Sequence, residues 1–558
     1  MDKYIIQLPP HNRFFYTCAI LLFAFAAFSQ DEARFTGSLS TNANFFIRDT
    51  LIGASNTPQY DHQLFGGETW LELNYSYKGF TVGGRFDAFY NSNIINPLGS
   101  FSDQGIGRWF VNKEINGLDI TVGYIYDQIG SGIIYRAYEE RPLAIDNALL
   151  GLRVAYDLGD NWTVKGFAGK HKNRFEVYES VIKGFGIDGF HSFGEEGNVT
   201  IAPGAGAVGR TLDDNSLNLV LSELRTYEPE DRFVPKYNTY AFSVYNTLSA
   251  GNFNWYIEGA YKSEDIFRNQ NGDQFLQDDG SVIYTSIGYA NKGLGVTLEG
   301  KRTQNFEFRT RPQEELNRGI INFLPPMTRV NTFRLLARYN SATQFLGELG
   351  FQADVNYKFN KNLSANVNFS HITDLDNTPL YREYFTEVTY KKPRKWQIIA
   401  GVQLQEYNQE VYEFKPGVPL VNTFTPYGEF LYKLGKKKAL RFEFQYMNMN
   451  AASDPTGELV KNDYGDWAFG LLEFTMAPHW TFTLSDMYNL GPGKLSPTGN
   501  DGEKAQIHYP RVDVFYTNKS NRYSLSYVKQ VEGVVCSGGI CRLEPAFSGV
   551  RMSITSTF

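Results

Sequence analysis

Val550-Arg551-Met552-Ser553-Ile554-Thr555-Ser556-Thr557-Phe558 closes the chain with apolar residues at alternate positions and a terminal aromatic. Successive side chains of a strand point to opposite faces, so this period of two is a strand signature. A half-buried strand in water has no reason to stop on a Phe, and the stretch reads as the last strand of a transmembrane β-barrel. Its form resembles the tails read by the outer-membrane insertion machinery of Gram-negative bacteria. Val550, Met552, Ile554 and Phe558 are the expected insertion signal and lipid-facing stripe, with Arg551 and Thr555 toward the lumen.

The other end agrees. Lys3, His11 and Arg13 precede an apolar run over 14–28, and Ala27-Phe28-Ser29 precedes Gln30. That order of charge, apolar run and small residues is a secretory signal, with cleavage expected after Ser29. The run of about 15 apolar residues is short against the roughly 20 that a spanning helix needs. Cys18 lacks the preceding small residues of a lipoprotein signal. The expected organisation is therefore a signal peptide over 1–29 and a single barrel over 30–558.

After residue 30 no stretch is apolar enough for a membrane helix, and the mean hydropathy is −0.35. A barrel escapes a hydropathy scan because only every second strand residue meets lipid. Aromatic residues make up 16% of the chain, as interfacial girdles require. A net charge of −7 spread over the whole length provides no basic patch for nucleic acid, which excludes that class of partner. No Pro- or Ser-rich linker divides the sequence into domains.

Leu118 to Asp127 shows the strand pattern: Leu118, Ile120, Val122, Tyr124 and Tyr126 on one face, Asp119, Thr121, Gly123 and Asp127 on the other. The pattern recurs over 80–90, 253–262, 349–359, 440–446 and 512–516. Short connections such as Lys78-Gly79, Asn116-Gly117, Gly251-Asn252 and Lys292-Gly293 carry tight-hairpin residues. They alternate with long polar segments, the longest over 173–236 and 305–331. Short periplasmic turns against long extracellular loops is the outer-membrane layout.

The fold expected is all-β, a transmembrane antiparallel barrel of about 22 strands, within a range of about 18 to 24. The terminal strand is expected to close against residues 34–47. Strand-like sequence begins within a few residues of the cleavage point, which leaves no room for an N-terminal plug like that of TonB-dependent transporters. If the lumen is occluded, the candidates are the two longest loops: one holds Gly184 to Phe190 and Pro203 to Ala207, the other Arg309, Arg311, Glu314, Glu315 and Arg318. Parity places both signs on the lumen face: Arg85 with Asp87, Glu258 with Lys262, Glu299 with Lys301, Arg441 with Glu443 and Arg511 with Asp513.

The densest constellation is Arg136, Glu139, Glu140, Arg141 and Asp146, after Gly130-Ser131-Gly132. Two readings stand. Arginines that hold anionic groups bidentately make a ligand grip or constriction; alternatively the same residues form a salt-bridged loop against the inner wall. Leu324-Pro325-Pro326-Met327-Thr328-Arg329 and Asn340 to Asp354, with the Gly-Ser-Gly…Tyr-Arg segment and Cys-Ser-Gly-Gly-Ile-Cys-Arg near the end, resemble an uncharacterised family of outer-membrane β-barrel proteins. The resemblance implies a location and no activity.

Cys536 and Cys541 stand in the last extracellular loop with no His beside them. Zinc wants more ligands, so a disulfide is expected, with a redox role as the other reading. The mature histidines, at 62, 171, 191, 371, 479 and 508, show no nucleophile at a recognisable spacing. The Asp- and Asn-rich stretch over 269–280 lacks the ligand spacing of a calcium loop. No catalytic residue, metal or cofactor is therefore expected. The sequence points to a porin-like channel for small solutes narrowed by long loops; a non-conducting subunit of a secretion, assembly or surface-attachment complex is the competing class, and an outer-membrane hydrolase a third. The expected partners are outer-membrane lipid and lipopolysaccharide, the barrel-assembly machinery during biogenesis, and proteins at the loops.

Overall fold

In the strand Lys438–Met449, Phe442 and Phe444 are 46% and 60% exposed, while Gln445 between strand and lumen is fully buried. That is the inverse of a water-soluble sheet. It repeats around the molecule: Val244, Ile283, Tyr384, Leu484 and Leu525 point outward, and Glu258, Lys262, Glu348 and Glu383 point inward and are buried. Apolar-out and polar-in is stable only where lipid surrounds the wall. The computed structural model describes residues 33–194, 198–453 and 459–558, and the expected signal peptide lies outside them.

Twenty-four strands, from Ala33–Phe46 to Phe547–Thr557, make one closed antiparallel barrel in which each pairs with its neighbours in sequence. The last strand pairs with the first from Ser38↔Thr557 to Phe46↔Gly549, so no edge faces lipid. Phe558 extends this ladder: its amide donates to the Gly37 carbonyl at 3.0 Å, and Gly37 donates back at 2.8 Å. Among the described residues no helix is long and apolar enough to cross a membrane. Tyr390 with Trp396, and Trp480 with Tyr516, pair their rings beside the short turns and mark one aromatic girdle.

The segment 173–236 is not a loop. It holds two wall strands, Glu176–Gly189 and Val199–Thr211, and this raises the count from 22 to 24. Their glycines read as turn residues in sequence, but they make room for neighbours. A Cβ on Gly184 would lie 2.1 Å from the Phe167 ring, one on Gly204 would lie 2.1 Å from the Tyr245 ring, and one on Gly206 would lie 2.4 Å from Ile129. Beyond them the helix Asp214–Leu224 is capped by Asp213, which accepts from the Ser216 amide at 2.9 Å. It buries Leu217, Val220 and Leu224 against Ile266 and Phe275.

Two parity assignments also change: Tyr124 is 6% exposed, with the Lys172 ammonium 5.7 Å from its ring centre, and does not face lipid. The strand Leu118–Ile125 ends just after Gly123, whose φ is +109°, and Tyr126 turns into the lumen, where its hydroxyl donates to Asp146 at 2.7 Å. It is not on the lipid face.

The closing ladder makes a direct prediction. Deleting Phe558, or replacing it with a charged residue, removes the last two backbone hydrogen bonds or charges a lipid-facing position. The folded amount in the outer membrane should fall, read as loss of the heat-modifiable band. Unchanged yield and mobility would count against a role in insertion.

Candidate functional site

Inward polar side chains over the loop-side half of the wall need partners, and three segments of the chain supply them: 126–148, 305–346 and 531–546. They meet in the lumen. The Arg136 amide donates to Ile321 at 2.8 Å, Phe323 to Gly132 at 2.9 Å, and Thr343 to Gly539 at 2.8 Å. The wall holds them as well. Glu258 accepts from the Ser131 amide and hydroxyl at 2.9 and 2.6 Å, Gln445 accepts from the Leu335 amide at 2.7 Å, and Gln405 donates to the Tyr339 carbonyl at 2.6 Å.

Between these bonds lies a dry core. Ile133, Ile134, Tyr135, Phe306, Phe308, Ile321 and Leu335 are all 0% exposed. Hydrogen bonds from the wall around an apolar centre hold such a packing in place. Toward the short-turn side the inward residues, among them Asn112, Asp119, Arg153, Glu387 and Glu429, are only half buried. The lumen is thus a polar vestibule narrowed at its loop side by the protein's own chain.

Of the two loops expected to occlude the lumen, only the second enters it, and it is longer than 305–331: the next strand begins at Gly347. The segment 173–236 contributes wall strands and an outer helix instead. Arg309 donates to the Arg318 carbonyl at 2.6 Å and pairs with Glu307 at 2.7 Å, while Arg311 pairs with Glu314.

The five-residue constellation divides. Asp146 accepts from Arg85 at 2.6 Å and from Lys172 and Tyr126; Arg85 also pairs with Asp87 at 2.7 Å and Glu139 at 2.8 Å, and Glu139 with Arg141 at 2.7 Å. Arg136 stands apart, stacked 4.2 Å from the Phe323 ring centre and 4.6 Å from that of Tyr138. Glu140 joins none of these ion pairs. Burial pushes the Asp146 carboxyl up, but Lys172 and Arg85 outweigh it and hold it below the usual carboxylate range. Its contribution to stability is present above the ordinary carboxylate pKa and is lost as pH falls through the lowered one.

The lumen charges read from parity pair in part as spaced, with Arg441–Glu443 at 3.2 Å and Arg511–Asp513 at 2.9 Å. Others choose different partners. Lys301 bonds Glu348 at 3.0 Å, Lys262 bonds Asp265 at 3.1 Å, and Glu299 accepts from Tyr284 at 2.6 Å.

Cys536 and Cys541 form a disulfide across the hairpin of Gly533–Ser537 and Ile540–Glu544, whose tip turns inward onto residues 323–343. Between that hairpin and the plug lies a cavity of about 240 Å³, with Arg329, Arg334 and Arg338 on its wall. Neither Arg334 nor Arg338 stands out in a strand-and-loop reading, and Arg329 does so only as the end of the 324–329 stretch. One signal was present: from 316 to 347 the sequence holds Arg318, Arg329, Arg334 and Arg338 and no Asp or Glu. Among the described residues no group of three or more His, Cys, Asp or Glu is placed to hold a metal.

A family model described as a family of unknown function, DUF6029, matches residues 11–558. None of the curated proteins matches the chain. Solved structures with a similar strand arrangement include the siderophore receptor PirA from Pseudomonas aeruginosa, at 8% identity and TM-score 0.42, covering 95% of this chain and 81% of that one. The translocation pore of the P pilus usher PapC is similar at 10% identity and TM-score 0.37, covering 94% and 99%. OccK1 (OpdK) from Pseudomonas aeruginosa is similar at 11% identity and TM-score 0.34, covering 71% and 96%. These likenesses concern fold alone.

Proposed function

The chain belongs to the DUF6029 family of unknown function, and we propose that it is an outer-membrane channel for small solutes, narrowed by its own inward loops. The observation that carries this reading is that the plug leaves part of the lumen wet. Val330 is 80% exposed although its neighbours Arg329 and Asn331 reach the wall residues Phe385 and Glu383, and Arg334 is exposed close by. An apolar residue so placed borders water and not packing. Water therefore borders this side of the plug, where Arg329, Val330 and Arg334 face the disulfide hairpin across the cavity.

A second reading has its own observation. The dry core around Ile133, Phe308 and Leu335 is what a permanently closed barrel would hold, as in a membrane-embedded subunit of a secretion, assembly or surface-attachment complex. No hydrolytic role is proposed. Lipid and lipopolysaccharide around the wall, the assembly machinery during biogenesis, and proteins at the outer loops are the partners proposed, with export through cleavage after Ser29. The turns next to the girdle fit anionic headgroups: Lys391, Lys392, Arg394, Lys395, Lys433, Lys436, Lys437 and Lys438 are all exposed there, and no Asp or Glu interrupts them.

Planar bilayers separate the two readings. The purified protein should give small, stepwise conductance. Silence, together with proteins that co-purify after gentle detergent extraction, would replace the channel by the subunit.

A further inference from the structure

Arg334 is a cation without a direct ion-pair partner among the described residues. Among the described residues it makes no ion pair, hydrogen bond or ring contact, although barrel and plug surround it and its side chain is open to the 240 Å³ cavity. Crowding by the surrounding barrel and plug desolvates its guanidinium and lowers its basicity; Glu544 raises it, and Arg338, Arg511 and Arg551 lie close enough to lower it further.

The acids of the cavity are already engaged. Glu544 meets Arg551 at 3.6 Å, and Glu532 accepts from the Tyr464 hydroxyl at 2.6 Å. Arg338 has Asp463 at 3.5 Å, which leaves its Nε buried and unbonded, and Arg329 Nη1 is likewise buried without a hydrogen-bond partner. A guanidinium with no ion pair of its own in a partly enclosed space, as at Arg334, is costly, and a planar anion satisfies two of its N–H donors at once. The lining is not purely polar. Met487, Val534 and Val535 border the same space.

We propose that this cavity binds a small organic carboxylate, with its charged end on Arg334 and its apolar part along Val534 and Val535. The site goes beyond the channel reading, because a bound carboxylate requires no conduction. A solute route that passed here would favour such anions over neutral or cationic solutes of equal size.

Calorimetric titration of the folded full-length protein in detergent tests this with hexanoate as the probe and hexanamide as its neutral isostere. Hexanoate should bind at least about tenfold more tightly than hexanamide, and more weakly as salt is raised. Inorganic phosphate should compete at least about tenfold less well than hexanoate. Arg334→Gln should abolish that preference, while Lys391→Gln beside a short turn at the other end of the barrel should leave it intact. Equal binding of hexanoate and hexanamide to the unaltered protein, or full retention of the preference in R334Q, would overturn the proposal. Equal competition by phosphate would overturn the apolar half of the site. The comparison on the unaltered protein decides even if the variant does not fold, and none of these readings depends on bilayer conductance.

Discussion

Replacing residues 307–344 with a short glycine-serine connection should turn the barrel into a wide pore, raising single-channel conductance by about tenfold or more. The loop stems make this a clean excision. Gln304 pairs with Gly347 at the end of the wall ladder, Asn305 donates to Leu346 at 2.9 Å, and Phe306 donates to Phe345 at 2.8 Å. A hairpin can close across those pairs without moving the wall. Removing the segment takes away Phe308, Ile321 and Leu335 from the dry core and leaves residues 126–148 without Ile321 and Phe323 as backbone partners. A deleted protein that keeps its heat-modifiable mobility yet conducts no better than the intact one would show that this segment does not limit passage.

The second large effect concerns one carboxylate. Asp265 is 2% exposed and lies between Arg210 at 2.6 Å and Lys262 at 3.1 Å, with the Thr239 hydroxyl at 3.0 Å and the Ile266 amide at 2.8 Å. Arg210 is 1% exposed and Lys262 0%. The two cations then reach into the plug: Arg210 donates to the Arg309 carbonyl at 2.9 Å, and Lys262 donates to that of Glu307. Asp265→Ala strands both cations away from water, and breaking a buried pair in this way costs about 3–5 kcal/mol. Denaturant unfolding should show the loss, and hydrogen exchange should quicken first over 306–323. Replacing all three residues by apolar ones of similar volume should recover most of the stability, because no charge is then left unpaired. A stable D265A protein with unchanged exchange would mean that water or lipid headgroups reach Arg210 and Lys262.

Much of the wall was legible residue by residue. Alternation at Val512–Asp513 or Leu440–Glu443 survives in any single strand, since a strand points successive side chains to opposite sides whatever its neighbours do. The two glycine-rich strands were not legible. Gly184 and Gly204 sit where Phe167 and Tyr245 on adjacent strands lay their rings, so the missing side chain of one strand is explained only by another. The constellation at 136–146 was found in sequence as a cluster, yet its true members include Arg85 and Lys172, and Arg136 leaves it for Phe323. Arg334 is not legible in the sequence, because an unpaired charge looks like any other until the fold gives the surrounding carboxylates their partners.

By itself the sequence determined a lipid-facing, polar-lined barrel with aromatic girdles, closed by its last strand against its first. These are properties of local alternation and of a terminal strand whose apolar face must continue into lipid. Only the tertiary structure decided what fills that barrel. Ser131 reaches Glu258, Asn147 reaches Ile320 and Thr343 reaches Gly539. Such contacts join irregular segments far apart in the chain, and each is selected by the inward wall it must satisfy and not by any repeat within itself. Lipid imposes the period of two along every strand, whereas the lumen asks only that its polar groups find partners, and that demand has many solutions until the chain is folded.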